Sequence, residues 1–346
     1  MKQYLLSFFF LISSTIVYTE IYAQSPEVII MTSGTKTSLR GLSVVNDNVV
    51  WVSGSNGTVG KSLNGGKNWN WMTVKGFEKK EFRDIEAFDA NTAIIMAVDS
   101  PAYILKTTDG GDTWKVVYEN RTKGMFLDAM DFCDFANGMV VGDPIDKKVF
   151  LAYTTDNGNT WKEFPDEKKP VADSGEAFFA ASGTNIRLYR DGSYFLVSGG
   201  IRSRLIKKPN PFLLPLVQGK ESTGANSIDL YDNGNPAKPG KRMIIVGGDF
   251  NVPASSEKNC FYSSDGGRSW KQPKIPPHGY RSSVEYLSQK DIVTCGISGV
   301  DYSNDGGKTW KWISKEGFHV GRIARNGSAF FLAGENGKIA KLNFEY

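Results

Sequence analysis

Five times the chain writes nearly the same eight residues: Ser62-Leu-Asn-Gly-Gly-Lys-Asn-Trp69, Thr107-Thr-Asp-Gly-Gly-Asp-Thr-Trp114, Thr154-Thr-Asp-Asn-Gly-Asn-Thr-Trp161, Ser263-Ser-Asp-Gly-Gly-Arg-Ser-Trp270 and Ser303-Asn-Asp-Gly-Gly-Lys-Thr-Trp310. A unit repeated on this scale constrains the architecture before any single residue is weighed. Each copy reads Ser/Thr-x-Asp-x-Gly-x-Thr/Ser-Trp, with Asn64 and Asn68 as substitutes in the first. An Asp or Asn at the third position (Asn64, Asp109, Asp156, Asp265, Asp305) accepts hydrogen bonds from backbone N–H groups just ahead and folds the chain into an Asx-type turn. The glycine two residues on supplies a positive φ. The tryptophan (Trp69, Trp114, Trp161, Trp270, Trp310) opens the next strand and buries a large ring. Short β-rich runs flank each copy, such as Tyr103-Ile-Leu-Lys106 and Lys115-Val-Val-Tyr118, so the motif is a hairpin turn. These Asp and Asn side chains are structural: a Ca²⁺ loop needs carboxylates at alternate positions and a closing Glu.

The tryptophans stand 45, 47, 109 and 40 residues apart. The long gap holds two units, one without its motif. A period in the forties, with about four strands per unit, is the signature of a propeller blade. The eight-residue motif resembles the Asp box of the bacterial neuraminidase repeat, shared by sialidases, sortilin-type receptors and the photosystem II assembly-factor type of propeller. The phrases Val52-Ser-Gly-Ser-Asn-Gly-Thr-Val-Gly60 and Leu332-Ala-Gly-Glu-Asn-Gly-Lys-Ile-Ala340 most resemble the assembly-factor type.

The expected fold is therefore all-β: a seven-bladed propeller over residues 24–346, preceded by a signal peptide over 1–23. The leader reads from a basic start and an apolar run (Tyr4-Leu-Leu-Ser-Phe-Phe-Phe-Leu-Ile12) to a cut after Ala23, and it makes the protein secreted or periplasmic. No integral membrane segment is expected after cleavage. The formal net charge of +4 is too mild to argue for nucleic acid. Three cysteines (Cys133, Cys260, Cys295) without Cys-x-x-Cys spacing read as free thiols, and two histidines (His278, His319) offer no ligand pattern, so no metal or cofactor is expected.

Blades are expected near 38–72, 82–118, 126–164, 174–219, 226–274, 280–313 and 321–342. Phe82-Arg-Asp-Ile-Glu-Ala-Phe-Asp89 and Phe126-Leu-Asp-Ala-Met-Asp-Phe-Cys133 align without a gap as equivalent inner strands. Blade 4 begins with Ala177-Phe-Phe-Ala-Ala181, lacks the turn motif, carries Arg202, Arg204, Lys207 and Lys208 in its second-to-third loop, and ends with a strand over 212–217. Blade 7 is one strand short, and Glu27-Val-Ile-Ile-Met-Thr32 is expected to complete it. Closure removes open sheet edges.

Inner strands start at one rim of the channel, with the Asp-box turns on the opposite face. Arg40, Arg83 and Arg281 stand 29, 31 and 29 residues before their blade's Trp and are placed at one rim position in three blades. Glu176 and His319 correspond in two others, and Asp99, Asp143 and Asp249 end the second strands. A ring of Arg suits a carboxylate, phosphate or sulfate, unless each Arg is neutralised by a rim Asp. The assembly-factor resemblance implies a non-catalytic binding module whose partner is an unknown protein or an anionic or carbohydrate ligand at the channel mouth. The alternative is a sialidase-like or other glycoside hydrolase. Sialidases use three Arg for the substrate carboxylate and a Tyr–Glu nucleophile pair; here no Arg-Ile-Pro precedes the first repeat, and no Tyr–Glu pair can be placed.

Overall fold

The computed structural model describes residues 25–32, 35–207, 210–232 and 238–344. The expected leader, 1–23, lies outside them. Seven sheets make up the ring, and the fifth, Thr223–Tyr231, Arg242–Asp249 and Cys260–Ser263, also takes in the short strands Glu176–Ala177 and Gly199–Gly200 from within the blade-4 span. Blade 1 is Leu39–Val44, Val50–Gly54, Thr58–Ser62 and Asn70–Thr73, antiparallel throughout. Blades 2, 3 and 6 repeat the plan from Phe82–Ala87, Leu127–Phe132 and Ser283–Tyr286. Blade 7 runs Val320–Ile323, Phe330–Ala333 and Ile339–Asn343, and its outer strand is Glu27–Thr32, with Ile29 opposite Lys341. The ring is closed by the two ends of the chain, as the stray N-terminal strand requires.

The repeated turn behaves as its residues dictate. In blade 2, Thr113 N and Thr113 Oγ1 donate to the Asp109 carboxylate at 3.0 and 2.5 Å, Thr107 Oγ1 donates to it at 2.8 Å, and Gly111 N donates to Thr107 Oγ1 at 3.0 Å. The same bonds recur around Asp156, Asp265 and Asp305. Donors converging on Asp109 and Asp156 hold both carboxyls down to about 2. Each turn then packs on the preceding blade: Gly111 stands against Trp51 and Met72 of blade 1, and Gly158 against Ile94 of blade 2. A third-strand lysine clamps the junction, Lys61 Nζ reaching Gly110 O at 2.7 Å and Lys106 Nζ reaching Asn157 O at 2.8 Å.

Inner strands are sheet edges, and their outward N–H groups need partners. Side chains of the preceding blade supply them. Ser43 Oγ accepts from Ala87 N at 3.0 Å, Asp84 from Met130 N at 2.7 Å, Asp131 from Leu188 N at 2.6 Å, Asp229 from Tyr286 N at 2.7 Å and Glu285 from Ile323 N at 3.1 Å. The acidity of the bore is thus largely structural.

Blade 4 departs from expectation. Its strands are Ile186–Leu188, Tyr194–Val197, Arg204–Ile206 and Phe212–Leu213. Of the apolar run 177–181 only Ala177 is in a strand, Glu176–Ala177 paired with Gly199–Gly200, and 178–181 form a loop rather than the inner strand, because its aromatic residues cover the channel mouth. The outer strand stops at Leu213, since Pro215 cannot donate to a ladder; Leu214 and Leu216 turn into the core instead. Arg204 lies on the third strand, not in a loop. It is buried against Glu176, Nε to Oε1 at 2.9 Å, and its Nη2 reaches Val171 O at 2.7 Å. Residues 182–184 then cross the bore. Ser182 Oγ donates to Ser282 O of blade 6 at 2.6 Å, Gly183 abuts Asp84 of blade 2 and accepts from Arg322 Nη2 of blade 7 at 3.1 Å, and Thr184 Oγ1 donates to Ser227 Oγ of blade 5 at 2.7 Å. This crossing divides the channel.

Among the described residues no helix is long and apolar enough to cross a membrane.

Candidate functional site

A β-bulge near the start of the inner strand builds the upper mouth. The register slips between Leu39 and Gly41, Phe82 and Asp84, Leu127 and Ala129, and Ala225 and Ser227. The extra residue in each case is Arg40, Arg83, Asp128 and Asn226. In blades 6 and 7 the same place falls to Ser282, whose N–H donates to Cys295 O at 2.8 Å, and His319, whose N–H donates to Ala333 O at 2.8 Å. A bulge re-aims one side chain without changing the strand's two faces, and here it delivers one polar residue per blade toward the axis.

Five of these six, Arg40, Arg83, Asn226, Ser282 and His319, line a cavity of about 410 Å³. Its wall over blades 3 to 6 is apolar: Phe126, Phe178, Phe179, Phe250, Tyr280 and Ile297. Phe179 meets Phe250 edge-on at 5.6 Å, and Phe250 continues to Tyr280 at 6.3 Å. The mouth therefore has two arginines on blades 1 and 2, an aromatic half opposite, and one carboxylate, Glu335, at its blade-7 side, 3.9 Å from His319 Nε2.

Glu335 and Glu81 are the acidic groups nearest the two arginines, and neither makes a close ion pair with Arg40. Burial and the neighbouring Arg83 lower the Arg40 guanidinium from its ordinary value. Arg40 has no ion-pair partner among the described residues, and Arg83 Nε stands 4.0 Å from Glu81. His319 is pushed down to about 3 by burial and then by Arg40 and Arg83, so it is a neutral group whose Nε2 lies 3.2 Å from Ser38 Oγ. Asp128 is fully buried, and its carboxylate has only the Ala180 N–H nearby, outside good hydrogen-bond geometry. Burial drives its carboxyl well above the ordinary range, the nearby Asp143 adds to this, and Arg83 opposes it.

Arg281 does not join Arg40 and Arg83. It precedes the bulge by one residue, at the position that Leu39, Phe82 and Leu127 fill in blades 1 to 3. One residue of slip sends a side chain to the other face. Arg281 is fully buried and donates from Nε to Asp301 Oδ2 at 2.8 Å and from Nη1 to Ser298 Oγ at 2.7 Å. The same one-residue offset shows that Arg83 corresponds to Asp128, not to Leu127 as the ungapped alignment implied. Glu176 is held by Arg204 away from the mouth. Asp99 is exposed and 3.5 Å from Lys80 Nζ. Asp143 accepts from Phe178 N at 2.9 Å and so anchors the aromatic loop. Asp249 accepts from Asn251 N at 3.0 Å, with Lys220 Nζ at 3.6 Å. Asp128, Asn226 and Ser282 were missed in the sequence. Their only signal is position relative to a bulge, which depends on pairing rather than spacing.

A second cavity of about 620 Å³ opens at the other end of the bore, among Glu86, Asp131, Arg187, Asp229, Glu285 and Arg322. Arg325 Nη2 binds Glu86 at 2.6 Å and Arg187 Nε binds Asp229 at 2.9 Å. Burial lifts the Glu285 carboxyl to about 7. The two cavities share no lining residue.

The described residues contain no cluster of three His, Cys, Asp or Glu side chains able to hold a metal ion. Two arginines, not three, meet at the mouth, and the Tyr280 hydroxyl is committed to Asn226 Oδ1 at 2.7 Å rather than to a carboxylate. The sialidase constellation is not assembled here.

No family model and no curated protein sequence matches the chain. Solved structures do match in fold. YCF48 from Cyanidioschyzon merolae superposes with a TM-score of 0.65 at 16% identity, over 92% of this chain and 99% of that one. YCF48 bound to D1 peptide superposes with a TM-score of 0.64, also at 16% identity, over 92% of this chain and 95% of that one.

Proposed function

We propose that this chain is a non-catalytic binding module of the secreted or periplasmic space, cut from its leader after Ala23, and that it captures a carboxylate-bearing polypeptide segment at its upper mouth. The observation that carries this reading is the pairing of two under-neutralised guanidinium groups, Arg40 and Arg83, with an aromatic wall across one cavity. Guanidinium forks suit carboxylates, and aromatic side chains give contact area at low entropic cost. The crossing at 182–184 allows a ligand to enter but not to thread, which favours a chain end or a bent segment over a long strand. One of the propellers of like fold, YCF48, is described as bound to D1 peptide, which agrees with a peptide as the kind of ligand.

The test is a fluorescence titration with a short acidic peptide in two forms, free and amidated at the C-terminus. R40A/R83A is expected to weaken capture of the free form by about tenfold or more, a loss of about 1.4 kcal/mol or greater, with unfolding unchanged. Equal affinity in wild type and double variant would remove the mouth arginines from the function.

A further inference from the structure

Three of the turns that join second to third strands present one side chain each at the same place on the upper rim. The phrases Gly54-Ser-Asn-Gly57, Gly296-Ile-Ser-Gly299 and Gly334-Glu-Asn-Gly337 put Ser55, Ile297 and Glu335 there in blades 1, 6 and 7. In blades 1 and 7 the Asn-Gly pair that follows shapes the backbone. Asn56 and Gly57 have φ of 58° and 64°, and Asn336 and Gly337 of 57° and 66°, the left-handed pair that a tight hairpin turn requires. The first residue of the turn is under no such demand. Ser55 uses the place to hold Glu81, donating from Oγ to Oε2 at 2.9 Å, and Ile297 lines the mouth. The turn has no need of the Glu335 carboxylate.

Nor does a neighbouring charge use it. Among the described residues only His319 Nε2, at 3.9 Å, comes within ion-pair reach of Glu335. That ring is neutral, because burial and the two arginines push it down to about 3. Lys338, three residues on, is tied to Glu316 and lies over the Phe318 ring. Arg40 feels Glu335 across the mouth without pairing to it. The Glu335 side chain is exposed, yet its backbone is fixed. Gly337 N donates to Thr37 O at 2.7 Å and Leu39 N donates to Gly334 O at 3.0 Å, so the turn is bonded to the segment that ends in Arg40. Two charges of opposite sign are thus held on the wall of one cavity, each without a close partner.

We propose that Glu335 sets the specificity of the mouth: the segment captured there carries a basic side chain within about three residues of the carboxylate that Arg40 and Arg83 hold. The inference rests on the reading of the two arginines given above. A cavity of about 410 Å³ admits about two or three residues of extended chain at roughly 3.3–3.6 Å each. A ligand whose carboxylate reaches the arginines therefore has its neighbouring side chains at the blade-7 wall. A second carboxylate there meets Glu335 as a like charge. A lysine or arginine meets an opposite charge that has no prior partner to give up. Rejecting the wrong charge contributes to selectivity as much as attracting the right one. Glu335 faces solvent, so each step of preference is that of an exposed pair and modest.

The probes are N-acetylated pentapeptides with free C-termini, Ac-Ala-Leu-X-Leu-Ala and Ac-Ala-Leu-Leu-X-Ala, in which X is Lys, Gln or Glu, titrated against the full chain by calorimetry. The expected order of affinity is Lys, then Gln, then Glu at one or both positions, with about tenfold between the ends of the series at low salt and less at high salt. E335Q levels the series, and E335K inverts it. R40A/R83A and amidation of the C-terminus weaken every member alike, which separates the carboxylate subsite from the charge preference. If those two changes weaken binding but the wild-type chain takes the three forms equally, or if E335Q and E335K keep the wild-type order, the role of Glu335 is overturned and the reading of the arginines stands. If no peptide binds, or binding ignores both amidation and R40A/R83A, both are overturned. Thermal unfolding of E335Q and E335K checks that each variant is folded, as substitution of an exposed side chain predicts.

Discussion

Replacing Asp301 by Ala strands the Arg281 guanidinium in the core. Both partners are fully buried, and Asp301 takes bonds from Arg281 and also from His278 N and Nδ1, the latter at 2.8 Å. Removing one member of a buried pair costs about 3–5 kcal/mol, because the remaining charge keeps its desolvation penalty and loses its compensation. The rest of the ring shows what would replace the pair. Arg281 stands where blades 1 and 3 have Leu39 and Leu127, and Asp301 stands where blades 2, 3 and 5 have Leu105, Ala152 and Phe261. Replacing a whole buried pair by apolar residues is often neutral or stabilising. R281L/D301A should therefore lie within about 1–2 kcal/mol of wild type, although D301A alone falls by about 3–5. At roughly 2 °C per kcal/mol for a chain of this size, D301A lowers the thermal midpoint by about 6–10 °C, and the double variant recovers most of that. Circular dichroism melts of wild type, both single variants and the double complete the cycle. A double variant that falls by the sum of the singles, or a D301A midpoint equal to wild type, would refute the assignment of Arg281 to a core-facing position.

Other outcomes follow from the same geometry. Lys106→Met removes charge-assisted bonds to Asn157 O and Asn159 Oδ1 at 2.8 and 2.9 Å, and should cost about 1.5–3 kcal/mol in urea unfolding. Gly111→Ala, at φ +97° against Met72, should destabilise by more than about 1 kcal/mol, while Gly76→Ala, with open space around it, should cost less. Asp109 and Asp156 titrate near 2 in the fold against an ordinary 3.8. A depressed carboxyl contributes stability that is present above the unfolded value and lost as pH falls through the folded one, so the thermal midpoint should drop between about pH 4 and 2, and D109N/D156N should flatten that slope. Removing residues up to Thr32 takes away the strand paired to Ile339–Asn343, and should expose an edge and raise aggregation in light scattering.

The architecture was legible because its signals are local. An Asp, a hydroxyl and a glycine at fixed offsets form their turn wherever they occur, and an unpaired strand at 27–32 with a three-stranded blade at the other terminus leaves one way to close the ring. Blade 4 was misread because Ala177-Phe-Phe-Ala-Ala181 looks like a buried inner strand, whereas only Ala177 is in a strand, and that strand joins the blade-5 sheet; an apolar run lining a mouth carries the same pattern. Arg281 was misread for a different reason. Its spacing from Trp310 equals that of Arg40 from Trp69, yet the bulge in blade 6 falls on Ser282. A bulge is a property of two paired strands, so counting along one of them cannot locate it. Arg40, Arg83 and His319 do meet at the upper mouth. Asp99, Asp143, Asp249 and Glu176 hold backbone or neighbouring charges instead.

The crosspiece at 182–184 makes the disc two instruments back to back. Solute entering from one side meets a floor, and the two cavities it separates have no lining residue in common.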